Sequence, residues 1–552
     1  MKIKNYIIAA LLVITGVYSC DEDSFLTEEP RDNIYADNLL QSYDGFVNMM
    51  NSVYAWVRAE KSRLIPVGGI PITRSMCWTS GVDNAFMNNG HSKVVFLNLP
   101  TNINPEMDYF DDMFKWLYKI INITNMVIER AENPDVDWQG GSAEANAVNK
   151  NYIIAQARVI RAWAYRHLTY SWGDVPLSLI EVSGATIKDD WERAPVDEVR
   201  TQMVKDLKFG IDHLEIRDEN PAIVNEAVAR HYLADTYLTM QQYDSAEIVA
   251  KVLCEGTDYR LMTERFGSTA GDPGNAFMDM FHTPLPADGN EEALWVFLNT
   301  EPENVSYGYE PGSYLNNMWL TYYSKDEIIK TLDIQTFYIY NGGRGAGRTS
   351  ITESALSWYE DQDDRFSEFA IVKFLLMPNE TTGLLDTVLW TNTDFEITEG
   401  KYDLDHYQWP STRKWEYVHP DPAQFNERNH FEDIMYIRLA DTYLLLAEAL
   451  HMQEKDDEAA IWINKVRERS NATPITGADV DIDFILDERS RELITEEHRR
   501  HALIRTGKLV ERIQLYNEFA GPTIAEAPHL WPIPQTVIDA NTGRKMEQNP
   551  GF

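Results

Sequence analysis

Apolar positions recur at helical spacing over two long stretches, residues 108–131 and 151–170. In the second, Tyr152, Ala155, Val159, Ala162 and Trp163 fall on one face, and the pattern breaks at "WGDVP", where Gly173 and Pro176 end it. Residues 230–253 predict two shorter helices. The first carries Leu233, Ala234 and Tyr237, a turn brings Tyr243, and the second carries Ala246 and Ala250. Large residues on one helix against small ones on the next is the pattern of a tetratricopeptide-type hairpin. A looser copy spans 436–469, with Ala447, Leu450, Ala459, Ile463 and Val466 in the equivalent places. One hairpin cannot bury its own apolar face, so at least three must stack. The helices at 108–131 and 151–170 are the expected partners, meeting the later copy across an insertion. That insertion, about 260 to 430, is rich in Gly, Pro, Asn, Asp and aromatics, with short strands expected at 292–299 and 368–376. Helix returns over 490–516, and the tail 529–552 reads as extended and turn-rich. The fold class is therefore mainly α: helical hairpins packed against an irregular, loop-rich half with short strands.

The chain opens differently. Lys2 and Lys4 precede the apolar run from Tyr6 to Val17, which at 12 residues falls short of the ~20 needed to span a bilayer. A basic start with a short apolar core is an export signal, and Ser19 suits the cut. Cleavage there makes Cys20 the first residue. The stretch resembles a bacterial lipoprotein signal, in which that cysteine is acylated, and the acidic residues at 21–24 are similar to the surface-export signal of Bacteroidota lipoproteins. Acyl chains on Cys20 would anchor an otherwise soluble chain.

Composition narrows the partners. The net charge of −38 sets the surface against nucleic-acid phosphates. Besides Cys20, only Cys77 and Cys254 remain, which makes no disulfide framework and no CxxC pair for zinc; two buried thiols are expected.

Seven segments then occur in order: "WGDVP" (172–176), "IRLADTYLLLAEAL" (437–450), "INKVRERS" (463–470), "ERSRELITEEHRR" (488–500), "RTGKL" (505–509), "WPIPQTVIDAN" (531–541) and "QNPGF" (548–552). Together they resemble the SusD-like (RagB/SusD) outer-membrane lipoprotein family, over essentially the whole chain. Ala502 departs from an acidic residue common between the "HRR" and "RTG" segments. The resemblance implies a SusD-like fold in four parts: a signal peptide at 1–19, an N-terminal part at 20–260, an irregular ligand-binding insertion at 261–430 and a C-terminal part at 431–552. It also implies a cell-surface protein, lipid-anchored at Cys20 in the outer membrane. Such a protein captures oligosaccharides and delivers them to a SusC-like TonB-dependent transporter, whose lid it forms. A peptide-uptake member of the same family and a lipidated glycoside hydrolase are the alternatives. Tethering a weak binder over a pore raises local ligand concentration without tight affinity, which suits such a role.

Sugars offer apolar C–H faces edged by hydroxyls, which flat aromatic rings and Asp, Asn or Arg side chains match. Residues 307–340 hold nine aromatics in 34 positions, where the chain average of 12% would give about four. Tyr307 and Tyr309, beside Gly308 and Pro311, read as loop positions, and Trp319 belongs to the same run. Trp78, Asp83 and Asn84 combine a stacking face with hydrogen-bonding groups, in an early loop that the family resemblance ties to ligand contact. In "NGGRGAGRTS" (341–350) the glycines fit neither GxGxxG nor a P-loop. The expectation there is a flexible loop beside the ligand, with Arg344 able to meet a carboxylate or sulfate.

Catalytic motifs are absent. "EEHRRH" is not HExxH, and no GxSxG occurs. "DVDID" (479–483) begins like a calcium loop, but Phe484 and Ser490 replace its glycine and its final glutamate. The sequence thus predicts no catalytic residue, no cofactor and no metal ligand.

Overall fold

The computed structural model describes residues 36–552 apart from 65–70, 89–97, 99, 300–311, 322–333, 380, 383–384, 390–408 and 425. The signal, Cys20, Tyr307 and Tyr309 lie outside the described residues.

The helical layer begins with α1 (Tyr43–Arg58) and α2 (Asp108–Arg130). In α2, Phe110, Met113, Phe114, Leu117, Ile120, Ile121 and Val127 are buried along one stripe. Asp108 and Asp111 in its first turn and Arg130 in its last complement the helix dipole. Helix α3 (Ala143–Trp172) starts eight residues before the stretch whose apolar pattern predicted it. Its first turns are polar and alanine-rich, and Ser142 caps them by accepting from Ala145 N at 3.2 Å. From Ile153 to Trp172 it is buried on nearly every side, as befits a helix at the centre of a layer. It stops at Gly173, whose φ of 71° favours glycine and where a Cβ would sit 2.8 Å from Leu530.

Next come α4 (Val196–His213), α5 (Glu226–Thr239) and α6 (Tyr243–Cys254). The chain then leaves the layer and re-enters it as α7 (Leu439–His451) and α8 (Asp456–Arg469). Consecutive helices from α1 to α8 pack side by side, and α6 meets α7 directly across the long excursion. The small residues that marked the hairpins, Ala234, Ala246, Ala250, Ala447 and Ala459, are all buried at these contacts. The expected stacking of hairpins across an insertion is what the structure contains. The segment expected as helix over 490–516 comes as three pieces, α9 (Ile482–Leu493), α10 (Arg499–Arg505) and α11 (Leu509–Tyr516). Asp481, the third residue of the calcium-like run, is instead the N-cap of α9 and accepts from Phe484 N at 2.7 Å.

The excursion carries short antiparallel strand pairs. Strand β1 (Ala85–Met87) pairs with β3 (Thr349–Ile351), and β2 (Ala293–Phe297) pairs with β8 (Ile434–Arg438). Strand β4 (Ile371–Val372) pairs with β7 (Ser411–Thr412), and β5 (Phe374–Pro378) with β6 (Leu385–Leu389). The second predicted strand is thus split between β4 and β5. The β2–β8 pair is the neck of the irregular half. Ala293 lies opposite Arg438, and β8 runs straight into α7, whose first N–H, that of Leu439, donates to Glu292 O at 3.0 Å. Trp295, Tyr314, Met318 and Trp415 of the irregular half join the same hydrophobic core as the helical layer. Cys77 and Cys254 are free and buried, and burial pushes the Cys77 thiol up to about 12. No described helix is long and apolar enough to cross a membrane.

Above this neck lies a web of buried charges. Arg438 donates to Glu292 (3.0 Å) and Glu496 (2.7 Å) and also pairs with Glu492. Arg469 reaches Glu292 (3.1 Å) and Glu492. Arg365, from the irregular half, donates to Asp363 (2.7 Å), Glu488 (2.7 Å) and Glu492 (3.0 Å). Arg467 and Arg491 also serve Glu488. Burial alone would raise the Glu488 carboxyl, but Arg365, Arg491 and Arg467 outweigh it and hold it at about 2. Such a depressed carboxylate contributes its full stability above its unfolded pKa of about 4.3 and loses it as pH falls toward the folded value. Removing one partner of a buried pair strands the other, at a cost of about 3–5 kcal/mol. We therefore expect Glu488→Gln to lower unfolding free energy by about that amount at pH 7. The gap from wild type should close between pH 4 and pH 2; denaturant titrations at each pH check both.

Candidate functional site

The residues singled out for ligand contact separate into two groups. Trp78 is fully buried, with its Nε1–H donating to Ser171 Oγ at 2.9 Å and its ring stacked on His167 at 4.3 Å. Asp83 is fully buried between two arginines, accepting from Arg499 (2.7 and 2.8 Å) and Arg512 (2.7 Å). Burial would raise its carboxyl, but Arg499 and then Arg512 hold it below the usual carboxylate range. Asn84 donates to Ser490 Oγ at 3.0 Å and is likewise buried. Trp319 lies in the main core at 4% exposure. A ring that stacks on sugar needs an open face, and a polar group that binds hydroxyls needs spare hydrogen-bonding capacity. Trp78, Asp83, Asn84 and Trp319 have neither, and this corrects the expectation that they meet ligand. Their polar and aromatic character serves the protein's own interior.

Arg344 is half-buried and donates from Nη1 to Asn426 O at 3.0 Å, holding the 421–430 loop against the glycine-rich segment. That segment is fixed rather than flexible. Gly343 N donates to Tyr338 O (2.8 Å), Gly347 N to Leu320 O (2.8 Å) and Tyr417 N to Gly342 O (2.9 Å). A Cβ on Gly343 would fall 1.8 Å from Tyr417 O, and one on Gly345 2.3 Å from Thr321 O. The glycines permit close passage of backbones, not phosphate binding.

Beside this segment the irregular half presents an open concavity of about 280 Å³ lined by Tyr338, Ile339, Gly343, Val418, His419 and Pro420. It follows the helical turn Ile334–Tyr340, which leaves Ile339 and Tyr340 exposed (42% and 41%) while Tyr338 anchors inward. Val418 completes an apolar rim. His419 Nδ1 lies 3.0 Å from the Asp421 amide nitrogen and 3.3 Å from its carbonyl oxygen, which fixes the ring against the 419–421 turn. Gln335 Nε2 donates to Pro422 O at 2.8 Å and ties the two walls together. The arrangement offers aliphatic faces at Ile339 and Val418, with the exposed ring of Tyr340 next along the turn, surfaces that the C–H faces of a sugar can match. Sequence reasoning missed Ile339, Val418 and His419. The signal for the last two was the aromatic and histidine set between prolines in "YVHPDP" (417–422).

A larger groove of about 450 Å³ lies on the helical side, lined by Phe114, Tyr118, Trp191, Val537 and Met546. Its amides are committed: Asn122 to the Val182 backbone and Asn541 to that of Trp191. Lys115, Lys119, Lys188, Ser178 and Thr536 line it as well.

Comparison with known proteins decides the family. A model described as the SusD family matches residues 334–552, and one described as starch-binding associating with outer membrane matches 25–238. The chain belongs to the SusD family. It is 24% identical to SusD-like protein P25 of Formosa agariphila, over 98% of this chain and 97% of that protein. Among solved structures, a SusD homolog from Bacteroides thetaiotaomicron superposes with a TM-score of 0.70 at 19% identity, covering 95% of this chain and all of that one. Surface glycan-binding protein A from the same organism, solved in complex with laminarihexaose, gives 0.67 at 16% identity, covering 92% and 99%. At these identities the structural matches carry the fold.

SusD membership also explains which segments were recognisable. "WGDVP", "WPIPQ" and "QNPGF" meet one another: Trp172 Nε1 donates to Pro532 O (2.9 Å), and Asn549 Nδ2 to Trp172 O (3.0 Å) and Trp531 O (2.7 Å). The "RERS" and "ERSREL" segments supply the buried charge web. These are structural residues of a SusD fold, and Trp78 belongs with them. Trp78→Ala should therefore cost about 3–5 kcal/mol of stability, as large-to-small core changes do. Calorimetric melting would show it; an unchanged melting temperature would return Trp78 to the surface.

Proposed function

We propose that the chain is a cell-surface glycan-binding lipoprotein, anchored in the outer membrane through acylated Cys20, that captures oligosaccharides and passes them to a SusC-like TonB-dependent transporter as its lid. It performs no catalysis in this reading. The observation that carries it is the pair of exposed apolar side chains, Ile339 and Val418, that line the concavity, with the exposed Tyr340 next to Ile339 in the chain, on a fold shared with a protein solved bound to laminarihexaose. The concavity is shallow and has few polar groups, which favours weak, reversible binding, as a capture-and-release role requires. Tyr307 and Tyr309 are further proposed glycan contacts, and Arg344, next to Gly343 of the concavity, would meet an acidic sugar. The family model's outer-membrane description supports the location.

A glycan array followed by calorimetry on the chain starting after Cys20 tests the binding. A stacking tyrosine is worth about 0.5–1.5 kcal/mol. Tyr340→Ala and Tyr307→Ala should therefore each weaken the best glycan by about 2- to 12-fold, with melting unchanged. Binding to peptides alone, or release of shortened sugars, would contradict the proposal. The anchor has its own test. Cys20→Ala expressed with its signal should move from the outer-membrane fraction to the soluble fraction, and retention in the membrane would argue against acylation.

A further inference from the structure

Three histidines far apart in the sequence converge in the core. His167 comes from the middle of α3, His498 from the residue just before α10, and His501 from its first turn. His167 and His501 are fully buried and His498 is nearly so. Their ring centres lie 4.7, 5.2 and 5.4 Å apart. Three imidazoles bound at ~2.0–2.1 Å to one tetrahedral ion put their ring centres roughly 5 Å apart, with ligand nitrogens roughly 3.3 Å apart. One nitrogen from each histidine can be chosen so that all three fall within 4.8 Å of one another, and His167 Nδ1 and His501 Nε2 are 3.0 Å apart.

The protonation pattern points the same way. His498 Nε2 donates to the buried Glu60 carboxylate at 2.8 Å. Its Nδ1 faces Arg166 Nη1 at 3.4 Å, and a guanidinium can only donate, so that nitrogen presents a lone pair. His498 thus donates from Nε2 to Glu60 and accepts at Nδ1 from Arg166, and a bound cation would take the Nδ1 lone pair in place of Arg166. Only one proton fits between His167 Nδ1 and His501 Nε2, whereas a cation in that place would take a lone pair from each. Hydrogen bonds account for four of the six ring nitrogens, leaving His167 Nε2 and His501 Nδ1 without partners. Of the surrounding cations, Lys61 pairs with Glu60 at 3.1 Å and Arg166 with Asp235 at 2.5 Å, while Arg500 donates to His529 O.

We propose that His167, His498 and His501 form a buried site for one imidazole-preferring divalent cation, zinc foremost, which ties α3 to α10. The His-Arg-Arg-His run at 498–501 supplies two ligands at i, i+3 spacing from one chain turn, and α3 supplies the third. The ion's role is structural, since Trp78 stacks over His167 and Tyr170 over His501, closing the site.

The test uses the chain from residue 21, purified with a tag that contains no histidine. Elemental analysis should find about one zinc ion per chain after dialysis against micromolar zinc. Cobalt(II) in its place should give the visible absorption of a tetrahedral site. Both should be lost in His501→Phe, which keeps a ring against Tyr170. Crystals of the wild-type chain, measured at the zinc edge, should place the anomalous peak between the three rings, so the result does not depend on the variant folding. A chain that binds no zinc and whose melting ignores both zinc and chelator would overturn the proposal, as would a peak at any other place.

Discussion

The structure depends on charges buried where two unlike halves meet. Arg438 ends the strand that closes the irregular half, and its guanidinium reaches Glu292 on the opposite strand and Glu492 and Glu496 from α9 and the turn after it. Arg365 brings the far side of the irregular half to the same carboxylates. A charge in this position is costly unless every partner is present, because desolvation is offset only by complete pairing. The web therefore has one good arrangement, and that arrangement fixes the β2–β8 neck against α7, α8 and α9. Apolar packing alone would tolerate small slips between a helical layer and a loop-rich cap. A network of matched forks does not.

This constraint explains what could be read from the sequence. The hairpins were legible because Ala234, Ala246, Ala250, Ala447 and Ala459 mark where helices must approach closely. The family was legible through "RERS", "ERSREL" and "WGDVP", which are the residues of the web and of the tail contacts. The start of α3 was not, since its first turns carry little apolar periodicity and rest on the Ser142 cap. The site was read least well. Trp78, Asp83 and Asn84 have the residue types of a sugar site, yet an aromatic beside Asp and Asn serves equally as a hydrogen-bonded interior. Only burial separates the two, and burial there is set by partners such as His167, Arg499 and Ser490, remote in sequence. Of the exposed trio, Tyr340 lies in the aromatic-rich run 307–340 and Val418 in "YVHPDP", while Ile339 has no motif.

The division of labour has a physical basis. Residues that hold the fold are committed to several partners each and cannot change singly. Residues on the open face of the irregular half contact few others, so their identity is free to follow the ligand. The glycine-rich segment belongs to the first class, since its glycines let backbones pass closely and thereby hold the wall of the concavity in place. A rigid wall carrying exposed rings is pre-organised for a weakly bound ligand, which limits the ordering cost of each capture.

The most direct test is hydrogen–deuterium exchange of the chain with and without the oligosaccharide that binds it best. The account predicts slower exchange confined to the irregular half, at residues 334–348 and 417–422 and the tyrosine-bearing segment 300–333, with α3, α7 and α9 unchanged. Protection centred instead on α2 and the tail helix around Val537, with the 334–348 and 417–422 segments unaffected, would contradict it.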